Sequence, residues 1–476
     1  MRFLLINTNR ERSPQTVIPL GTCCVASAAR AAGHAVDVLD LCFERDPVAV
    51  TERVVRWVRP DAVGLSVRNL DNADLAHPQS YVREAQALAD ACRRTSDAPL
   101  ILGGAAVGLL PEAFARTLGC RWAISGEGES AVPALLGALA RGEAPSGIPG
   151  LTTVEGETAQ SEPACLQPEL AELPDPEMER WLELRQYRAQ DAAYPVQTKR
   201  GCALTCSYCV YPRLEGRQWR LRDPDWVAEQ ARLGGVAHFR LVEFVDSVFG
   251  MPEDHAIACC MAISRLPEHP PLTTMDLNPS ACSPALVEAM NAAGFTAVAI
   301  SAESGSDTML ERFGKGYSVA TLHRARETLR GLHAQRLWIF LLGAPGECEE
   351  TVRDTARFIG TLPHEDLVFV AYGVRLLPGT KLHAQAVCAG EVAPDDPLLW
   401  PTFVPTPLMT AERAAALLAE SGFPADHMVT VHDGGGRWIP LAQRVMARCG
   451  LPPPYWRYAP GMNRVRALLR FEGGWR

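Results

Sequence analysis

Short apolar runs alternate with helical patterns along the first 140 or so residues. RFLLIN from Arg2, AVDVLDL from Ala35, AVGLSV from Ala62, PLILGG from Pro99 and RWAISG from Arg121 read as strands, with a first helix starting near Pro19. Five strands with helices between them predict an α/β domain built on a doubly wound parallel sheet over residues 1–143. Each predicted strand runs out into a polar or glycine-rich loop: Asn7 to Asn9, Ser66 to Asn72, Gly103 to Gly108 and Gly126 to Glu129. Ligands of such sheets sit beyond the carboxyl ends of the strands, so these loops should form one rim.

Residues 144–190 turn rich in Pro, Glu and Gly, and ELPDPEME has no apolar period, which reads as a linker. Over 191–388 six more strands follow, in VQT, HFRLVEFV, LTTMDL, AVAIS, LWIFLL and LVFVAYG, each pair separated by a helical pattern. That series predicts a partial (β/α)6 barrel, an open relative of the eight-stranded form. Residues 389–476 lack this rhythm and carry Trp400, Phe403, Trp438, Tyr455, Trp456 and Tyr458. They are expected to form a small C-terminal domain that covers a substrate cavity.

Composition narrows the function. A net charge of −9 argues against a broad nucleic-acid surface, which needs a basic stripe to neutralise phosphates, and points to a small-molecule partner. No apolar run is long enough to span a bilayer, and the apolar stretch at Arg2 is too short for a signal-peptide core, so the expectation is a cytoplasmic protein. Fifteen cysteines then fit reduced thiols rather than a disulfide framework. Cys23, Cys24, Cys259 and Cys260 read as small buried helix residues.

Three cysteines stand apart. In KRGCALTCSYC, Cys202, Cys206 and Cys209 are separated by three and then two residues, just after a predicted strand. Structural zinc wants a closed tetrahedral set, and no nearby Cys or His completes one. A cubane cluster whose fourth iron takes a non-protein ligand fits three thiolates better.

This CxxxCxxC spacing, with the aromatic Tyr208 before the last cysteine, resembles the signature of the radical S-adenosylmethionine (SAM) superfamily. The resemblance runs over roughly residues 194–385, through FVDSVF, ISAESGSDTMLERFGKG, LLGAPGE and RLLPGTKL. It implies a 4Fe-4S cluster on Cys202, Cys206 and Cys209, with SAM chelated at the open iron and cleaved to a 5'-deoxyadenosyl radical. It also implies that Tyr208 presents its backbone to adenine, that Asp246 and Ser247 lie near the SAM amino group, that Glu303 approaches the ribose or methionyl part, and that Leu376 contacts SAM. The family often has glycines and a glutamate after the second strand where this chain has Val245, Asp246 and Ser247. Glu303 has an alternative partner in Lys315 or Arg312. Gly343, Pro345 and Gly346 serve as markers of a strand exit.

A parallel sheet with GGAAVG and then GEGE, placed before such a barrel, resembles the cobalamin-binding domain of the cobalamin-dependent radical SAM family. Glycines would let a flat corrin approach the strand ends closely. The implied contacts are Asn7, Ser66, Arg68, Asn69, Gly103, Gly104, Gly126, Glu127 and Gly128. The DxHxxG loop that supplies a lower axial histidine in many cobalamin proteins is missing, so no His ligand is expected. Arg68 would instead face the lower side of the corrin as a non-ligating cation, unless it pairs with Asp71 or Asp74. His77 reads as a surface residue, and the GGGR before Trp438 as a flexible turn rather than a phosphate loop.

The resemblance implies a C-methyltransferase that moves a methyl group from SAM, by way of cobalamin, to an unactivated carbon of a small natural-product precursor. The alternative keeps both cofactors but ends in cyclisation or rearrangement. Methylthiotransferases fit less well, because Cys23, Cys24 and Cys42 lack the spacing of their second cluster. The expected partners are a small-molecule substrate and an external electron donor such as flavodoxin or ferredoxin, with no nucleic acid, no membrane and a monomeric state.

Overall fold

The computed structural model describes residues 1–13, 15–164, 166–167, 169–406, 409–430 and 438–468. The first sheet contains β1 (Arg2–Asn7), β2 (Ala35–Asp40), β3 (Ala62–Ser66), β4 (Leu100–Gly103), β5 (Trp122–Ile124), β6 (Leu151–Glu155) and β7 (Thr158–Ser161), in the order β2-β1-β3-β4-β5-β6-β7. The first five are mutually parallel, as predicted. Their apolar runs bury both faces: Leu4 and Ile6 pack with the helices Val82–Arg93 and Pro111–Leu118, whereas Phe3 and Leu5 pack with Leu20–Ala31 and Gly128–Ala140.

Two departures concern segments of weak pattern. Within the expected linker, β6 and β7 form an antiparallel hairpin that extends the first sheet. The outer strand, TAQS, is exposed along its whole length, so it carries no apolar signature. Further on, Met178, Leu182, Leu184 and Tyr187 join the core of the second domain, which docks this stretch rather than leaving it a free tether.

The second sheet holds β8 (Tyr194–Val196), β11 (Val242–Phe244), β12 (Leu272–Leu277), β13 (Phe295–Glu303), β14 (Gln335–Leu342) and β15 (Leu367–Tyr372), the six expected strands, all parallel. A small ribbon, β9 (Lys199–Arg200) with β10 (Arg220–Leu221), brackets the cysteine loop. The C-terminal region adds a seventh strand, β16 (Met428–Thr430), beside β15. Three residues are too short a run to show a period.

Strand alternation divides this sheet into two faces. Val298, Ile300 and Ala302 of β13, Trp338 and Phe340 of β14, and Val368 and Val370 of β15 pack in the main core with the flanking helices. The residues between them, Ser301, Glu303, Ile339 and Phe369, therefore lie on the inner face, as does Glu243 between the core residues Val242 and Phe244. Trp456 and Met462 pack against the same buried cluster, Ala299, Leu337, Leu367 and Ala459, as Met275, Ile339 and Phe369 do, so the C-terminal segment closes part of that face. Trp400, by contrast, is 46% exposed under the guanidinium of Arg83. The GGGR motif at 434–437 and the Trp438 side chain lie outside the described residues. Among the described residues no helix is long and apolar enough to cross a membrane.

Candidate active site

The cysteine loop follows β9 and is fastened on every side by its backbone. Cys202 N–H donates to Gly216 O (3.0 Å), Ser207 N–H donates to Phe313 O (2.8 Å), and Leu382 N–H donates to Ser207 O (2.9 Å). Gly201 sits at φ +91°, where a Cβ would overlap Gln218 O, so only glycine lets the loop pass this close to the neighbouring turn. Ser247 Oγ donates to Gly201 O (3.1 Å), which places it under the start of the loop. Cys202 is buried, while Cys206 and Cys209 are partly open. Burial pushes the Cys202 and Cys209 thiols up, the latter to about 12, and their cysteine neighbours push the same way.

Three adjoining thiols, one from each step of the motif, match the donor set of a cubane with a free iron. Among the described residues no three Cys, His, Asp or Glu side chains are placed to hold one metal ion, whereas a cubane takes each thiolate at a separate iron. The residues fit a 4Fe-4S cluster.

Asp246 does not stand free for the SAM amino group. Its carboxylate is buried and accepts from Thr198 N–H (2.7 Å), Thr198 Oγ1 (2.6 Å) and Lys199 Nζ (2.8 Å). The acid at the end of β11 thus braces the strand that delivers the cysteine loop. Glu303 is likewise engaged: Tyr208 OH donates to its Oε1 (2.8 Å), and Lys315 Nζ lies 3.1 Å from the same atom. Of its two alternative partners, Lys315 is the one that pairs with it. Burial opposes the Lys315 charge, but Glu303 more than offsets it, and its proton affinity is raised. Glu303 also has φ +62°, at a register shift between β13 and β14. A non-glycine residue there costs about 1–2 kcal/mol, a strain that the ion pair helps to hold. Leu376 is fully buried in one apolar cluster with Tyr208.

The rim of the first sheet sorts its predicted residues into two groups. Asn7 Nδ2 donates to Asp40 (2.8 Å), and Thr22 Oγ1 donates to Ser66 Oγ (3.1 Å), so Asn7 and Ser66 brace loops. Gly128 has no side chain because Val25 of the first helix occupies that space, 2.9 Å from where a Cβ would lie. Glu127 pairs with Arg200 (3.1 Å) and Arg220 (2.7 Å), and Glu129 pairs with Arg200 (2.6 Å). The acidic residues of GEGE therefore meet the second domain.

The other group is open. Arg68 and Asn69 are exposed at the end of β3, and Gly103 at the end of β4 has only empty space where a Cβ would lie. Gly104 (φ +94°) and Gly126 (φ +76°) are not open: they take backbone conformations that favour glycine, and a Cβ would overlap the Val67 backbone at the first and lie 2.9 Å from Ala164 Cβ at the second. Arg68 pairs with neither suggested acid: Asp71 is bound to Arg375 (2.7 Å) and Asp74 lies nearest His77, which is at the surface. An exposed cation beside the open glycine at the end of β4 suits a flat, polar-edged ligand such as a corrin.

Between the domains lies a polar junction that the sequence alone did not reveal. Gln15 Nε2 donates to Glu243 on the inner face of β11 (2.8 Å). Tyr211, two residues past Cys209, is 43% exposed, yet enclosure by surrounding protein pushes its phenol up to about 12 while Arg68 pulls it down. Asp276 on β12 accepts from Ser301 Oγ (3.2 Å); burial lifts it to about 6, with Glu303 pushing the same way. Glu243 is raised by burial, with Arg68 opposing. Arg68 from one domain and Tyr211, Glu243 and Asp276 from the other thus act on one another's charge across the domain junction, which Gln15 also crosses by its bond to Glu243. The available signals were acids embedded in apolar strands, Asp276 in LTTMDL and Glu243 in LVEFV.

Comparison with known proteins agrees with this division. Residues 7–136 match the B12 binding domain, and residues 196–359 match the radical SAM superfamily. The chain is an enzyme of the cobalamin-dependent radical SAM family, in which a B12-binding domain precedes the radical SAM domain. It is 27% identical over 409 residues to the uncharacterized methyltransferase PH0819 of Pyrococcus horikoshii, covering 81% of this chain and 83% of that one. It is 27% identical over 437 residues to the tryptophan 2-C-methyltransferase of Streptomyces laurentii, covering 79% of this chain and 72% of that protein. Its fold is similar to that of the radical SAM methyltransferase TsrM from Kitasatospora setae, solved with cobalamin and a 4Fe-4S cluster, with TM-score 0.83, 22% identity, and coverage of 98% and 99% of the two chains.

Proposed function

We propose that this chain is a cobalamin-dependent radical SAM C-methyltransferase acting on a small molecule, and that tryptophan or a related aromatic amino acid is the first substrate to test. The observation that carries this reading is the joining of the two domains: the root of the cysteine loop is tied by Arg200 to Glu127 (3.1 Å) and Glu129 (2.6 Å) just past β5, and the loop that carries Arg68 is tied by Asp71 to Arg375 (2.7 Å) just past β15. When bound, a cluster on Cys202, Cys206 and Cys209 supplies reducing electrons to SAM, and cobalamin supplies a methyl carrier.

The chain's own groups would organise the chemistry. Ser247 and the Lys199–Asp246 pair hold the cysteine loop at one angle, and the Tyr208–Glu303–Lys315 set holds its far end. Arg68, with no partner among the described residues, would keep a cation under the corrin without ligating cobalt. Asp276, a carboxylate raised by burial to about 6, would receive a proton from substrate. Trp456 and Phe369 would keep the inner face of the barrel apolar and shed water from it. We place the enzyme in the cytoplasm as a monomer that draws electrons from a flavodoxin- or ferredoxin-type donor.

The test is anaerobic reconstitution with iron, sulfide and hydroxocobalamin, followed by SAM, a reductant and tryptophan. Methylated product together with S-adenosylhomocysteine supports the reading. 5'-Deoxyadenosine without S-adenosylhomocysteine would replace it with a rearrangement. Cys206→Ala is expected to abolish product and cluster absorbance together; turnover that persists would remove the cluster from the reaction.

A further inference from the structure

The two residues that lead into the cysteine loop are both buried cations, and they are anchored in opposite directions. Lys199 turns into the barrel, to Asp246 at the end of β11. Arg200 turns the other way, to Glu129 (2.6 Å) and Glu127 (3.1 Å) at the start of the helix Gly128–Ala140, and its Nε donates to Gln197 (3.0 Å). Arg220, paired with Arg200 across the β9–β10 ribbon, reaches the same Glu127 (2.7 Å) and also donates to Glu215 O (2.8 Å). Glu215 in turn accepts from Gly201 N–H (3.2 Å), the residue before Cys202. Arg200 and Arg220 with Glu127 and Glu129 thus form a buried ion-paired set around the root of the loop, with Glu215, Arg222 and Cys24 nearby.

The position of the two carboxylates matters because they follow directly from the strand end that would face the corrin. β5 ends at Ile124, Gly126 turns at φ +76°, and Glu127 and Glu129 come next. A ligand filling the space beyond β4 and β5 bears on this turn, and the turn holds Arg200. Lys199 fixes the neighbouring residue to the barrel, so a displacement of the turn is felt two residues later, at Cys202.

We propose that Arg200 is a positioning residue that couples the two cofactor sites, so that cobalamin bound at the first domain and the iron-sulfur cluster on the cysteine loop each favour the other through the Glu127–Arg200–Glu129 ion pairs. This rests on the assignment of the two cofactor sites made above. The coupling is reciprocal because it is a free energy shared by two binding equilibria.

The test uses the full chain under anaerobic conditions, cluster-free and cluster-loaded, titrated with hydroxocobalamin. In the parent, the cluster-loaded form should bind at least about fivefold more tightly, the lower end of ordinary couplings. In Arg200→Gln the two forms should bind with equal affinity. Arg200→Lys, which keeps the charge, should recover part of the ratio. The electron paramagnetic resonance spectrum of the reduced cluster should shift on adding cobalamin in the parent and stay unchanged in Arg200→Gln. If Arg200→Gln does not fold, Glu129→Gln removes one arm and should lower the ratio without abolishing it. Equal affinities in the parent, or a full ratio kept in a folded Arg200→Gln or, failing that, in Glu129→Gln, overturns the proposal while leaving the assignment intact. A parent that retains no cobalamin in either form overturns both.

Discussion

Asp276 is a carboxylate held where its charge is disfavoured. Its folded-state value, about 6, lies above the 3.8 of an unperturbed aspartate, chiefly through burial. The folded chain therefore resists ionisation that the unfolded chain accepts, and the sign follows. The cost is absent below about pH 4, grows between about 4 and 6, and is complete above 6, where it reaches up to about 3 kcal/mol. Asp276→Asn should melt at a higher temperature than the parent at pH 8, and the gain should shrink toward pH 5; a gain independent of pH would show that the aspartate is not the titrating group. Asp246 is held by an ion pair instead. Its carboxylate and Lys199 are both fully buried and paired, so Asp246→Ala leaves an unpaired cation and should cost about 3–5 kcal/mol, read as a large fall in melting temperature without added cofactor. Had it been a free contact for SAM, stability would hardly change. These roles were not legible in the sequence, because VDS and GEGE look the same whether an acid meets a ligand or a basic residue dozens of positions away. The cysteines were legible because their spacing is local.

At the scale of elements, the legible parts were those whose burial leaves a period. The five parallel strands of the first sheet and the six of the second stand where their apolar runs predict them. The hairpin of β6 and β7 escaped notice because Thr158–Ser161 is exposed throughout. β16 escaped because three residues carry no rhythm, although they pair with β15 through Val368, Phe369 and Val370. The C-terminal aromatics divide in the same way. Trp400 rests at the surface, while Trp456 packs against the cluster of Ala299, Leu337 and Leu367 and so belongs to the inner face of the barrel. Trp456 is partly buried, so Trp456→Ala should remove about 1–2 kcal/mol of stability, below the roughly 3–5 kcal/mol of a fully buried aromatic, and should expose the inner face of the barrel to water. A lowered melting temperature with raised binding of a hydrophobic dye would bear this out; an unchanged melt would mean that the C-terminal segment does not seal the barrel.

For the whole molecule, function depends on how the rim of one sheet faces the mouth of the other, and two buried ionic contacts fix that relation from opposite sides of the corrin rim. One is the Arg200 set beside β5. The other is Arg375, just past β15, whose Nε reaches Asp71 (2.7 Å) in the loop that carries Arg68. The same guanidinium donates to the carbonyls of Leu398, Trp400, Thr402 and Leu376, so one side chain ties the first domain, the barrel and the start of the C-terminal region together. Replacing it with a neutral chain of similar length should free the loop and the C-terminal stretch together, since both lose their partner, while β1 to β5 keep their own ladder. Arg375→Met is therefore expected to raise amide hydrogen exchange over residues 67–81 and 398–404 in parallel, with no change in the first sheet. Exchange that rises in only one of the two segments would show that Arg375 is a local brace and that the Arg68 loop is positioned by its own turn.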